Sequence, residues 1–542
     1  MLVPLLTFEL RAQQQPVPPE SATQVQALIA SSMMSDLRWP DFTDYRKHLL
    51  NFYGPENFGM AWSRDGHPTP QALAVIELFR SADARGLQAN DYDAPRWDAR
   101  LRALAAGPAS PSDLARFDVQ LSATLMRYIS DLHIGRINPR NIQFDLDIEH
   151  KKYYLPKLLA EIKVAGDVHT ILDHVEPPYA EYVRLGEALE KYRRIMADGE
   201  QPALPAVAIL KPGEKYTGLP QLVTLLRRVG DLPQESKPNV KIYEGAVVDA
   251  VKRFQKRHGL EPDGKISART LAALNVPLSR RLQQIQWAME RWRWAPAEFT
   301  QPPVIVNIPE FRLRAWDQQQ HSALEMNVVV GQAFGHETPV FQADMRYLVF
   351  RPYWNVPPSI QRAEISPKLQ KDRDYLAEHG YEAVDDYSAA SGTDVVTPQM
   401  VALIRTCRLL LRQKPGGSNA LGLVKFMFPN RNNVYLHSTP SQLLFAKSRR
   451  DFSHGCIRVE KPAELAAWLL RDQADWTPDK IAAAMKGPVN NIDVNLKDPV
   501  PVLIVYATVV ALENGEVHFF DDIYGHDQTL ENALAAGYPY PA

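Results

Sequence analysis

The chain has 542 residues, more than one ordinary hydrophobic core accommodates, so two to four domains are expected. Apolar residues make up 45% and charged residues 23%, values of a folded globular chain that exclude a mainly disordered one. With 61 Lys and Arg against 63 Asp and Glu, the net charge of −2 shows no basic surplus and argues against nucleic acid as a partner.

Leu2-Val3-Pro4-Leu5-Leu6 opens the chain as an apolar run without the basic flank of a secretory leader, and Gln13 to Pro19 follows as a flexible or polyproline stretch. Residues 1–21 are therefore read as a flexible N-terminus or a truncated signal peptide. Nothing later in the chain approaches the roughly 18 consecutive apolar residues of a spanning helix. Residues 22–205 repeat apolar positions at helical spacing, as in Ala72 to Phe79 and Leu121 to Ile129, and predict a helical scaffold domain. Prolines 202, 205 and 212 mark a linker.

Residues 215–277 predict a small three-helix module in which Val247, Val251, Phe254 and His258 share one helix face and Gly259 ends that helix. His258 is expected to cap rather than to ligate a metal. A Trp-rich amphipathic helix in 278–300 carries Trp287, Trp292 and Trp294, which predict docking against neighbouring elements. Residues 301–525 turn to strands: Val304–Ile308, Phe311–Trp316, Leu324–Val330, and a final pair, Val502–Ala511 with Val517–Phe520, turning at Asn514-Gly515. A helical and loop insertion at about 357–417 is too long for a plain connection and has the length of a lid. Residues 526–542 are read as a tail. The fold class is thus multidomain α+β, with two helical parts before a mostly β domain.

Candidate chemistry concentrates at His437-Ser438 and at Ser453-His454-Gly455-Cys456-Ile457-Arg458. A thiol reacts as thiolate and needs a base beside it. Val434-Tyr435-Leu436 reads as a strand delivering His437, and Gly455 permits a turn that aims backbone N–H groups at one point, as in an oxyanion hole. Cys456 sits among Ser, His, Gly and Arg, whereas Cys407 lies on an apolar helical pattern and is read as structural. No HExxH or paired CxxC accompanies these residues, so neither a metal nor a cofactor is expected.

This constellation resembles the signature of the L,D-transpeptidases, enzymes with a YkuD-type catalytic domain. The segments Tyr353-Trp354-Asn355-Val356-Pro357-Pro358, Arg412 to Gly422, Val424-Lys425-Phe426 and Phe428-Pro429-Asn430 are similar to the larger, YcbB-like branch. The resemblance implies a helical scaffold, a peptidoglycan-binding module at 215–277, a return helix at 278–300, and a capping subdomain inserted in the catalytic domain.

It further implies a thioester at Cys456, His437 as base, the Ser438 carbonyl orienting the imidazole, and N–H groups of Gly455 and Cys456 holding the oxyanion. His454 is expected in a supporting hydrogen bond. Arg458 would bind a stem carboxylate or brace the turn; Ser453, Trp354 and Asn419 are further candidates for substrate binding. The implied reaction joins a tetrapeptide donor stem to the side-chain amine of residue three of an acceptor stem, a 3→3 cross-link, in the periplasm or cell envelope. Partners would be the two peptidoglycan stems, together with other wall-synthesis enzymes. Two rivals remain open: a Cys-His carboxypeptidase or amidase that hands the acyl group to water, and a non-catalytic wall-binding protein.

Overall fold

Helices fill the first part of the chain because apolar residues recur there every three or four positions, and strands follow where β-branched residues alternate. The computed structural model describes residues 19–537. The apolar start at Leu2–Leu6, the stretch from Gln13 up to Pro18, and residues 538–542 lie outside that range. Two compact units emerge, one of the described residues 19–136, 149–176 and 537, the other of 137–148 and 177–536.

In the first unit, the helix Pro111–Ile134 is the central element. Ser110 caps it by accepting from the Asp113 amide at 3.1 Å, and from Phe117 onward its residues are buried on every side. Tyr45, Trp62, Tyr92 and Trp97 share the core with its buried residues. Asp118 lies inside that core, accepting from the Ala61 and Trp62 amides and the Tyr53 hydroxyl, each at 2.8 Å. Burial raises its carboxyl to about 6, and these bonds are what make a buried acid tolerable.

In the second unit, helices Leu219–Arg228, Ala246–Arg257 and Ala268–Leu274 form the small module around Leu222, Val251, Phe254 and Leu271. His258 ends the middle helix, its Nδ1 on the Phe254 carbonyl at 2.7 Å, and Gly259 follows in the left-handed region at φ 61°. The helix Leu278–Trp292 stacks Trp292 on Trp316 with ring centroids 6.1 Å apart.

The β domain is a closed sheet. Its strands in chain order are β1 (Val304–Asn307), β2 (Arg312–Trp316), β3 (Ser322–Gly331), β4 (Phe341–Phe350), β5 (Val424–Met427), β6 (Leu436–His437), β7 (Asp451–Ser453), β8 (Ile457–Val459) and β9 (Ile492–Val505). Spatially the ring runs β1-β2-β3-β8-β6-β5-β4-β9 and back to β1, with β7 added beside the end of β3. Closure comes from the double use of the long β3, whose first half pairs with β2 and whose later residues pair with β8 and β7. Val328, Leu348, Phe426, Leu436 and Ile457 fill the interior.

Two expectations need correction. The run 502–511 is two strands: β9 ends at Val505, and Val509–Ala511 pairs separately with Val517–Phe519. The break is stapled by Asn307, whose amide donates to the Ala507 carbonyl and accepts from its N–H. Residues 526–536 are a helix rather than a tail, anchored by buried Asp527, which pairs with Arg291 at 2.5 Å and accepts from Thr508 at 2.8 Å. Among the described residues no helix is long and apolar enough to cross a membrane.

Between β4 and β5 lies the capping insertion. Val356, Ile365, Leu369, Leu376, Ile404 and Leu411 form a core of their own, beside a small antiparallel sheet of Tyr381–Val384, Leu410–Gln413 and Trp354–Asn355. Gln361–Ile365 is a π-helical turn, a form that clusters at functional sites. Cys407 does not lie on a helix face. It follows the helix Pro398–Arg405 with φ 55°, and its sulfur accepts from Arg362 Nε at 3.2 Å.

Candidate active site

Strand register brings the candidate residues together. β6 and β8 run parallel with Leu436 opposite Ile457 and His437 opposite Arg458. Continuing the register by one residue sets Tyr435 opposite Cys456. Successive side chains on a strand point to opposite faces, so the apolar Leu436 and Ile457 turn into the barrel. Tyr435, His437, Cys456 and Arg458 share the other face. Cys456 is then the diagonal neighbour of His437.

His437 is buried, and its Nδ1 donates to the Ser438 carbonyl at 2.5 Å. That bond fixes the tautomer: Nδ1 holds the proton and Nε2 is left as the basic atom. Burial, reinforced by the Arg458 charge, pushes the imidazole down to about 3, so the ring is neutral near pH 7. Burial likewise pushes the Cys456 thiol up, against lowering contacts from Tyr435 and the Arg458 charge. The resting pair is therefore a neutral thiol and a neutral imidazole. Among the described residues the sulfur's only hydrogen-bond acceptor is the Asn433 carbonyl at 3.8 Å, and none joins it to the His437 ring. Such contacts often tighten only once substrate is bound.

The turn carrying Cys456 is braced from within and from behind. Ser453 is 2% exposed, and its hydroxyl donates to the Cys456 carbonyl at 2.5 Å while accepting from the Gly455 amide at 3.2 Å. Gly455 has φ 109°, a conformation that side-chain-bearing residues rarely adopt. Thr338, fully buried, donates to the Gly455 carbonyl at 2.8 Å and accepts from the Gly331 amide at 2.9 Å. It ties the turn to the end of β3.

Three expectations change accordingly. Ser453, expected to bind substrate, is instead buried with its hydroxyl donating and accepting inside the turn. The Gly455 N–H is engaged by that same hydroxyl, so of the two amides expected to hold an oxyanion only that of Cys456 has no partner among the described residues. Asn419 is no cleft residue either. It is fully buried, with Nδ2 donating to the carbonyls of Pro352, Gln413 and Lys414 at 3.0–3.2 Å and Oδ1 accepting from the Leu421 amide at 2.8 Å. Those bonds hold the loop that precedes β5.

His454 points to the cap: its Nε2 meets Glu364 Oε1, on the π-helical turn, at 2.7 Å. The His336 ring packs against it at 4.7 Å. Arg458 does not brace the turn. It makes no hydrogen bond or ion pair among the described residues, and its Nε is buried without a partner. Trp354 packs on Tyr381 in the cap sheet, ring centroids 6.2 Å apart, and makes no bond to the dyad.

Tyr435 was missed by the sequence reading. Its side chain stands beside the Cys456 sulfur, and burial together with that contact pushes the phenol well above its ordinary range. The signal was available in the spacing, since a residue two before the base on a strand shares its face.

Comparison with known families fits this geometry. Residues 302–502 match the L,D-transpeptidase catalytic domain, 47–189 a scaffold domain, and 217–274 a family described as "Putative peptidoglycan binding domain". The chain carries an L,D-transpeptidase catalytic domain and a peptidoglycan-binding domain. A protein of Haemophilus influenzae described as "Putative L,D-transpeptidase" is 32% identical over 233 residues, which is 42% of this chain and 45% of that relative. The chain thus spans less than half the length of the curated relative it matches. The His437–Cys456 face, the capping insertion and the barrel up to Val502 of β9 fall inside the stretch matched by the L,D-transpeptidase domain.

Proposed function

We propose that the chain forms 3→3 cross-links between peptidoglycan stems through a thioester on Cys456. The carrying observation is the register of β6 against β8, which brings His437 and Cys456 to one face as diagonal neighbours, with the imidazole Nδ1 on the Ser438 carbonyl.

Because thiol and imidazole are both neutral at rest, attack and deprotonation go together. The sulfur bonds to the carbonyl carbon between residue three and the terminal D-alanine of a donor tetrapeptide as His437 Nε2 takes the thiol proton. The Cys456 N–H and the Tyr435 hydroxyl stabilise the oxyanion; one such donor is typically worth about 2.7–4 kcal/mol. When the C–N bond breaks, His437 returns the proton to the departing D-alanine amine. The side-chain amine of residue three on a second stem then attacks the thioester and loses a proton to His437, which restores the thiol. Arg458, unpartnered on the same face, receives a stem carboxylate. The cap, held to the nucleophile turn by Glu364 and His454, excludes water during the life of the thioester. The binding module keeps the enzyme on the wall, and the place of work is the cell envelope.

Purified protein incubated with a disaccharide-tetrapeptide should release D-alanine and give a cross-linked dimer by mass, and Cys456→Ala should give none. A carbapenem should add its mass to the Cys456 peptide. Dimer formation by the alanine variant, or hydrolysed stem as the sole product, would overturn the reading.

A further inference from the structure

We infer that Lys425 is a second carboxylate anchor of the active-site face, one that makes the enzyme select stems with a free acid over stems carrying a carboxamide. The inference rests on the proposed reading of the site and names part of what that site recognises.

Register again places the residue. β5 is antiparallel to β6 with Lys425 opposite His437, while His437 lies opposite Arg458 on β8. The alternation of β5 turns Val424 and Phe426 into the barrel and leaves Lys425 on the outer face with the dyad. One row of the sheet thus reads Lys425, His437, Arg458: a cation on each side of the base.

Neither cation is satisfied by the protein. Lys425 is half-buried, yet among the described residues its ammonium makes no hydrogen bond and no ion pair within 4 Å. Its one electrostatic partner, Asp493, is an exposed residue on β9, beyond Val349 in the same row. Burial lowers the Lys425 ammonium against that attraction, the mark of a charge held partly out of water. Folding alone gives no reason to keep two unpaired cations there, because surface ion pairs elsewhere in the chain are readily made. A ligand with more than one carboxylate does give a reason. A stem peptide of the proposed kind has one, since acidic groups persist at residues two and three while the reacting carbonyl lies over Cys456. Adjacent strands are about 4.8 Å apart, so Lys425 and Arg458 stand close to 10 Å apart at the backbone and serve different carboxylates rather than one.

The test compares donor tetrapeptides with free acids against two analogues, one amidated at residue two and one at the side carboxylate of residue three. With the full-length protein, one of the amides should lower kcat/KM about 10–100-fold, the usual worth of a charge-assisted hydrogen bond. Lys425→Gln should lower kcat/KM for the free acid by the same factor, leave that amide nearly untouched, and so bring the acid-to-amide ratio close to one. Binding of the free-acid stem to Cys456→Ala, with and without Lys425→Gln, gives a readout independent of turnover and should weaken by the same factor. An unchanged ratio in Lys425→Gln for both analogues, or an equal loss on all three substrates, would overturn the anchor while leaving the transpeptidase reading intact. Failure of the wild type to acylate any stem would instead remove the reading on which the anchor rests.

Discussion

The state of the dyad before substrate binds has a direct test in the pH dependence of Cys456 alkylation. The thiol is pushed above its ordinary value of 9.0, so at pH 7 thiolate accounts for less than about 1% of it. With iodoacetamide as probe, the alkylation rate should climb about tenfold per pH unit from 6 to 9, because reaction follows thiolate concentration. Cys407 is the other free thiol and is partly exposed, so the rate is best read on the Cys456 peptide or in a Cys407→Ser background. A rate already flat between pH 5 and 8 would mean a preformed thiolate–imidazolium pair and would refute the neutral dyad. Stability offers a second view. Native His437 takes a proton only near pH 3, while the unfolded chain takes it near 6.5, so between these values the unfolded state binds more protons and stability falls as pH falls. By pH 5 this one group destabilises by about 2 kcal/mol, and a His437→Gln variant should lack that component in urea titrations.

Three further outcomes follow from the turn and the cap. Gly455→Ala meets no neighbour closer than 3.8 Å, so any damage comes from the backbone at φ 109°; about 1–3 kcal/mol of strain should appear as a lower Tm, with loss of acylation in the protein that remains folded. Asn419→Ala leaves buried carbonyls unpaired and should cost about 3 kcal/mol by chemical denaturation, with KM for the stem unchanged at low temperature; a raised KM at full stability would restore it as a cleft residue. Glu364→Gln removes the charge facing His454 and should raise the share of hydrolysed stem relative to cross-linked dimer, read from product masses, with no change in carbapenem acylation at saturation.

What the sequence disclosed and what it withheld have separate physical causes. Local pattern was enough to anticipate the strand that carries His437 and the turn before Cys456, because Val434 to His437 alternates as a strand should and Gly455 sits where only a turn would want it. Pattern was also enough to mark 357–417 as an insertion, since no plain loop is that long. The fate of side chains near the thiol depended instead on pairings between distant residues. Ser453 looked available for substrate until the turn folded its hydroxyl between the Gly455 amide and the Cys456 carbonyl. Asn419 looked like a cleft residue by family position, yet it follows Gly416-Gly417-Ser418, a composition in which an amide more often closes a loop on its own backbone.

The same long-range register explains why two cations escaped notice as a pair. Lys425 and Arg458 are 33 residues apart in the chain, and only the order β5-β6-β8 makes them neighbours of one imidazole. One of the two, Arg458, also contributes after burial to the neutrality of His437. A histidine held out of water, with the unpaired Arg458 cation beside it, is a poor place for a proton, so the imidazole stays neutral. On the proposed mechanism, a carboxylate bound to Arg458 would cancel its field and raise the imidazole at the moment when it must accept the thiol proton. On the proposed reading, stem binding and activation of the thiol are coupled through Arg458, which would recognise a stem carboxylate and which helps to hold the resting imidazole neutral.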